Sequence, residues 1–371
     1  MLMFARKGFN PPHRILIIRP SALGDVARTV PLLVSLRDAF PAAAIDWLVQ
    51  DAFVDVVRAH PALTEALAFP RADFSRWLST GRVGKLWSYL AALRAREYDV
   101  VIDAQGLARS GLIAWSTRAP RRIGHADARE MGWLGYTQRV SRAGVVHTVD
   151  QMLTLAIAAG ATARSDASSM RLHTPADAAG FAAERGLVPG SYVVLAPTSR
   201  WIAKQWPDDH FAKLARGLHE TGRTVVLIGG KSEREQIGEC LALAAKTAAG
   251  DTPRVVDLVG NTSIAQLMDV IEHAALVVAN DSAALHIAVG FGRSVVALFG
   301  PTRVDRVGPY RREGDVLQVL RAGDTFEHKD VASRAMMARI GVEAVIAACA
   351  SRLASALHEE NRNHLDRDAE R

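Results

Sequence analysis

Cysteine is nearly absent from this chain. Of 371 residues only Cys240 and Cys349 carry a thiol, and neither stands in a CxxC or Cys/His pattern. That argues against a disulfide scaffold and against a structural zinc site. No apolar run reaches the roughly 18 to 20 residues needed to cross a bilayer. Met1 to His13 also lack an apolar stretch followed by a small-residue cleavage site. The expectation from these absences is a cytoplasmic protein. Catalytic metal signatures are missing as well. There is no HExxH, and the one DxD, Asp366-Arg367-Asp368, lies in a polar C-terminal stretch and not behind a strand. No GxGxxG marks a nicotinamide or flavin site. Gly229-Gly230-Lys231-Ser232 ends like a P-loop, but Val225 occupies the place of the required earlier glycine.

What is present is the composition of an ordinary globular protein, 49% hydrophobic and 23% charged. The length exceeds one hydrophobic core and predicts two domains. A net charge of +6 and a pI near 9.6 suit an anionic partner: nucleic acid, a membrane face or a phosphorylated substrate. Simple solubility explains the same charge. The arginines are scattered and not interleaved with aromatics in a strip, so nucleic acid is disfavoured.

Strand-like runs alternate with helical segments along most of the chain. Arg14–Ile18 (RILII) reads as a strand buried on both faces of a parallel sheet. Residues 26–40 carry helical spacing up to Pro41, and residues 44–49 and 99–103 are further strands. After a polar stretch around residues 164–177, a second series follows at 191–195, 224–228, 254–258, 276–279 and 294–299. Two doubly wound α/β units are predicted, with ligands at the carboxyl ends of their strands and a cleft between the units as the expected site. The expected division is 1–172, 173–345, and a C-terminal piece 346–371. Residues 342–357 of that end read as an amphipathic helix, followed by a solvated tail from His358.

Three loops behind strands carry chemistry. Ser21-Ala22-Leu23-Gly24-Asp25 follows the first strand and presents Asp25 at the sheet's carboxyl edge, where it is either a functional carboxylate or a helix cap. Thr198-Ser199-Arg200-Trp201-Ile202-Ala203-Lys204 opens the second unit. Its hydroxyls and Lys204 suit a diphosphate; the other reading is a polar loop with a solvated lysine. Asn280-Asp281-Ser282 precedes an apolar helix whose free N–H groups suit an anion, although a cap and a core histidine, His286, explain those residues equally. Glu233 is placed either to receive sugar or ribose hydroxyls or simply to start a helix.

In order along the chain, SALGDVARTVPLL, DAQGLARSGLIAW, RRIGHADAREMGWLGYTQRV, HTVDQML, TSRWIAKQWP and NDSAALHIAVGFGRSVVALFGPT resemble the ADP-heptose:lipopolysaccharide heptosyltransferases, glycosyltransferase family 9. The resemblance runs from about Arg14 to Tyr310. The DAQGL, ARE…Y and H-x-VDQ blocks look most like heptosyltransferase I, while NDSAALH has the start common elsewhere in the family. The resemblance implies a GT-B fold, an acceptor-binding first domain and a nucleotide-sugar-binding second one. It implies inverting transfer of L-glycero-D-manno-heptose from ADP-heptose to Kdo of lipid A at the cytoplasmic face of the inner membrane, with neither metal nor other cofactor. Asp25 is then the general base and Lys204 the phosphate-binding lysine. Thr198, Ser199, Asp281, Ser282 and His286 surround diphosphate and heptose, Glu233 meets hydroxyls of the nucleoside or sugar, and Arg109 and Arg129 meet the anionic acceptor. A GT-B enzyme with another donor or acceptor, or one that hydrolyses or epimerises a nucleotide sugar, and a non-catalytic saccharide binder are the alternative expectations.

Overall fold

The computed structural model describes residues 11–247, 254–327, 329–330 and 333–369. The chain divides into two compact units, Met1–His173 and Thr174–Arg371. Among the described residues each contains one six-stranded sheet.

In the first unit Ile15, Leu16, Ile17 and Ile18 are wholly buried. A strand this apolar is stable only when both faces of its sheet are covered, which makes it central. It is β1 (Arg14–Ile18), and β2 (Ala44–Gln50), β3 (Glu65–Phe69), β4 (Val100–Asp103), β5 (Arg121–His125) and β6 (Gln138–Val140) complete the sheet. The order is β3-β2-β1-β4-β5-β6, with every pairing parallel. The second unit holds β7 (Tyr192–Ala196), β8 (Thr224–Leu227), β9 (Val255–Asp257), β10 (Leu276–Asn280), β11 (Val295–Phe299) and β12 (Val316–Gln318). Its parallel order, β12-β11-β10-β7-β8-β9, is the same winding counted from the other edge. In each sheet the order reverses beside the first strand, between β1 and β4 and between β7 and β10. Loops leaving the strands there diverge and open a crevice at their carboxyl ends.

Four strands were not expected. β3 (EALAF) is built from helix formers, β6 and β12 have three residues each at sheet edges, and β5 opens on two arginines. Those arginines are not solvated: Arg121 donates to the Ala158 and Ala159 carbonyls, and Arg122 to those of Gly135 and Ala119. The single helix expected over 26–40 is two, Leu23–Arg28 and Val30–Ala39, and the earlier start puts Asp25 in the first turn of the former. At the other end the helix Val342–Ala369 continues through the stretch expected to be a solvated tail. From His358 to Ala369 there is neither glycine nor proline, and the Glu, Arg, Leu and Ala present are good helix formers. Asp366 to Asp368 lie within this helix.

The second unit's core gathers on Trp206, which is fully buried against Phe211 and His210. Its indole N–H donates to the Ile340 carbonyl at 2.9 Å, so the loop after β7 is braced by the C-terminal segment. In the first unit the helix Ala108–Ser116 touches the turn Gly132–Gly135 backbone to backbone. A Cβ on Gly111 would stand 2.2 Å from the Gly132 oxygen, and one on Gly135 would stand 2.1 Å from the Gly111 oxygen. Neither obstacle is a movable side chain. Gly135→Ala should therefore destabilise the protein by about 2 kcal/mol or more, read as a lower urea midpoint; an unshifted midpoint would contradict the close approach.

Candidate functional site

The loop after β1 is fastened on both sides. Arg19 N–H donates to the Leu48 carbonyl at 3.2 Å and Gln50 N–H to the Pro20 carbonyl at 3.0 Å, while Ser21 N–H donates to Gln105 Oε1 at 3.1 Å. Asp25 then sits in the first helical turn, and its Oδ2 accepts from the Ala22 amide at 3.3 Å. The carboxylate thus caps the turn while remaining part-exposed, so the cap does not exclude a further role. Arg19 Nη2 lies 2.9 Å from Oδ2, and Arg28 pairs with Oδ1. Burial alone would push the Asp25 carboxyl up. The Arg19 and Arg28 guanidiniums, with the Ala22 amide, outweigh it and hold the carboxyl well below the usual carboxylate range.

At the end of β4 the fully buried Asp103 carries the adjoining loop. Its Oδ1 accepts from the Gln105 and Gly106 amides at 2.9 and 3.0 Å, and its Oδ2 from the Tyr136 hydroxyl at 2.6 Å. Burial pushes the Asp103 carboxyl above its usual range despite these donors. The same loop supplies Gln105 to Ser21 and the Ala104 carbonyl to Arg19. Arg109 begins the next helix with its guanidinium over the Phe74 ring at 5.5 Å. Arg129 is exposed, on a loop joined to the β4 loop by its own N–H to the Gly106 carbonyl at 2.9 Å.

In the second unit the reversal point gathers most of the expected anion-binding residues. Thr198 and Ser199 are buried just beyond β7. Thr198 donates to Glu233 Oε2 at 2.7 Å, and the Gly230 amide donates to the same oxygen at 2.9 Å. A Cβ on Gly229 would meet Thr198 Oγ1 at 2.6 Å, so a glycine there lets the β8 loop close on this pair. Lys204 is not solvated. Its Nζ lies 2.7 Å from Asp281 Oδ2, with both side chains largely covered. Ser282 caps the helix Ala283–Gly290 without a side-chain cap bond, and its Oγ is buried with no hydrogen-bond partner among the described residues. An ammonium, an orphaned hydroxyl and a helix N-terminus at one strand reversal form a fitting cradle for an anion. His286 lies buried in that helix's second turn.

Asn280 holds this arrangement in place. It is fully buried, its Oδ1 accepts from Trp206 N–H at 3.0 Å, and its Nδ2 donates to the Pro197 and Ala196 carbonyls at 3.0 and 3.4 Å. Both ends of the Lys204 loop are therefore tied to the end of β10. Asp103, Gln105 and Tyr136 stand in the DAQGL and ARE…Y blocks and Asn280 opens the NDSAALH block, yet the sequence alone assigns none of them this fastening role, nor one to Arg19 or Arg28. The available signal was a polar residue closing an otherwise apolar strand (VVID, LVVAN), which is tolerated in a core only when fully hydrogen-bonded. Among the described residues no three His, Cys, Asp or Glu side chains are grouped as a metal ion would need.

The profile of Glycosyltransferase family 9 (heptosyltransferase) matches residues 86–335. Lipopolysaccharide heptosyltransferase 1 of Pseudomonas aeruginosa is 30% identical over 313 residues, covering 81% of this chain and 82% of its own length. The protein of the same name from Escherichia coli K12 is 25% identical, covering 83% of this chain and 94% of its own length. Among solved structures, ADP-heptose lps heptosyltransferase II of E. coli has a TM-score of 0.74 at 22% identity, covering 94% of this chain and 99% of that one; it shares the fold.

Asn280→Ala strips a buried acceptor from Trp206 and a donor from two carbonyls. It should cost about 3 kcal/mol in urea unfolding. Asn280→Asp, which keeps the acceptor for Trp206 but loses the donors, should also be destabilised, and a wild-type midpoint for Asn280→Ala would show that these bonds do not fasten the loop.

Proposed function

The chain belongs to glycosyltransferase family 9, and from that premise we propose that it moves L-glycero-D-manno-heptose from ADP-heptose to Kdo of the lipid A inner core, with inversion and without a metal. It is a glycosyltransferase of GT-B fold. Lipopolysaccharide heptosyl transfer is the activity its relatives carry in their names. The observation that carries the donor half of the reading is the cradle at the β7/β10 reversal: Lys204, the orphaned Ser282 hydroxyl and the N-terminus of the helix Ala283–Gly290.

In the proposed reaction an acceptor hydroxyl attacks the heptose anomeric carbon. The new C–O bond forms as the bond to the β-phosphate oxygen breaks, and ADP leaves with the electron pair. Lys204 and the helix N-terminus stabilise the charge that grows on the departing diphosphate. Asp281, which would repel phosphate, instead holds the Lys204 ammonium in position and accepts sugar hydroxyls from its remaining oxygen. Thr198 and Ser199 line the diphosphate side, His286 the heptose side, and Glu233, held by Thr198 and Gly230, takes nucleoside or sugar hydroxyls.

Asp25 receives the proton of the attacking hydroxyl. Two guanidiniums make it a weak base, so the proton moves only as the C–O bond forms, when the hydroxyl has become acidic. Arg109 and Arg129 meet the acceptor's Kdo carboxylate and lipid A phosphates. The proposed acceptor would bring the enzyme to the cytoplasmic face of the inner membrane; no helix among the described residues is long and apolar enough to cross one.

A mass-spectrometric assay pairing ADP-heptose and competing nucleotide sugars with Kdo-lipid A tests the reading, and release of free sugar without product would overturn it. Asp25→Ala should abolish transfer yet bind ADP normally by calorimetry, whereas Lys204→Ala should weaken ADP-heptose use; chelation by EDTA should change neither rate. The depressed Asp25 group stays ionised above about pH 4, so its protonation should impose no acid limb between about pH 5 and 8. The stability it lends is likewise present above the unfolded carboxyl value and is lost only as pH falls through the lower folded one. Arg28→Met removes a cation and should move the acid limb upward; an acid limb unchanged in this variant would separate Asp25 from the rate.

A further inference from the structure

Along the outer face of the first unit, from the loop after β4 toward the opposite edge of the sheet, lies an apolar surface that the reaction does not use. On the helix Ala108–Ser116, Leu112 and Trp115 lie one turn apart on the outer face, 38% and 41% exposed. The turn Gly132–Gly135, in backbone contact with that helix, adds Met131 and Leu134 at 65% and 60% exposed. Glu130 and Met131 both adopt left-handed backbone, φ 54° and 59°, a conformation disfavoured for such residues. The chain thus accepts local strain where it puts a large apolar side chain into solvent.

The surroundings are basic. Between Leu107 and Arg142 the sequence has seven arginines against Asp127 and Glu130, a net +5 out of the whole chain's +6. Arg121, Arg122 and Arg142 are occupied by backbone carbonyls, Asp127 and Gln151. Arg118 lies over the Trp115 ring at 5.1 Å, and Arg139 over Trp133 at 4.3 Å. Arg118 and Arg139 thus set their charge against aromatic faces, as Arg109 does against Phe74. Glu130 is turned toward the Ala108 amide.

We propose that this face docks the protein on an anionic lipid bilayer, with Leu112, Trp115, Met131 and Leu134 entering the headgroup region and Arg118 and Arg139 contacting lipid phosphates. Tryptophan beside arginine suits that interface, where an apolar body and a charged or polar tip are both satisfied. A second copy of the chain is a poor occupant, because self-association through this face would bring unneutralised arginines together. The inference rests on the proposed lipid-linked acceptor, and it supplies a physical route to it. The patch hangs from the loop that reaches Asp25, through Arg129 N–H to Gly106 and Ser21 N–H to Gln105. Only the Met131 end of the patch adjoins that loop, and that end is where an acceptor still anchored in the bilayer would reach the Asp25 edge.

Cosedimentation of the full chain with vesicles of phosphatidylethanolamine and phosphatidylglycerol tests this, with phosphatidylcholine vesicles as control. The wild type should bind the anionic vesicles and dissociate as salt rises. Leu112→Ser combined with Leu134→Ser should weaken binding by about tenfold or more. Arg118→Gln and Arg139→Gln should each weaken it by about fivefold. Circular dichroism checks that the variants fold, and transfer to a de-acylated, water-soluble Kdo acceptor should stay at the wild-type rate. Vesicle binding that is absent in the wild type, or unchanged in the Leu112/Leu134 variant, overturns the proposal, as does a wild-type dimer in light scattering that the same substitutions dissolve. Failure of the wild type to use the soluble acceptor would count against the transferase reading and leave the vesicle result standing.

Discussion

The architecture of both units depends on one buried polar side chain at the end of the fourth strand. Where a doubly wound sheet reverses, neighbouring loops part, and the backbone groups at their roots lose the partners that strands or helices would give them. Asp103 closes β4 and Asn280 closes β10 at corresponding places, and each is completely buried. Asp103 takes two amides of its own loop and a tyrosine hydroxyl; Asn280 takes one amide and gives to two carbonyls of the loop across the reversal. The carboxylate suits a loop that offers only donors, and the amide suits one that offers both kinds. A hydrophobic residue at either place would leave several buried groups unsatisfied, each costing roughly 1 to 3 kcal/mol.

The charges these loops carry are already paired. Asp25 lies between Arg19 and Arg28, and Lys204 lies on Asp281. A buried pair of this kind is rarely a large source of stability, since desolvation offsets much of the attraction. Its value here is geometric. The carboxylate and the ammonium are held in fixed orientation, so in the proposed reaction little side-chain ordering would remain to be done when a substrate binds. The cost is muted reactivity, most visible in the weakened basicity of Asp25.

Much of this was legible from the amino acids alone. Both units, their central strands and the positions of the polar loops behind them follow from apolar runs such as RILII and SVVALF, because a strand buried on both faces must be continuously apolar. The outer strands were illegible for the same reason. EALAF, RRIGH, QRV and VLQ pair at or near edges where neither composition nor length distinguishes a strand from a loop or helix. Thr198, Glu233, Lys204 and Asp281 were legible as polar residues behind strands, but their mutual pairing was not, since it joins residues 35 and 77 positions apart. After Leu357 polarity suggests a solvated tail, whereas the absence of helix breakers is the better guide to the helix that continues there.

The bond from Trp206 to Ile340 has a consequence for synthesis. The first unit has all its strands once Val140 has been made, and it ends at His173, so it can fold while the rest of the chain is still being translated. The Lys204 loop has to wait. Its indole N–H finds its partner 134 residues later, and until then a large aromatic lacks both its polar contact and part of its cover. During translation the second unit is therefore the one that exposes apolar surface longest, and a chaperone meeting the nascent chain would find its work there.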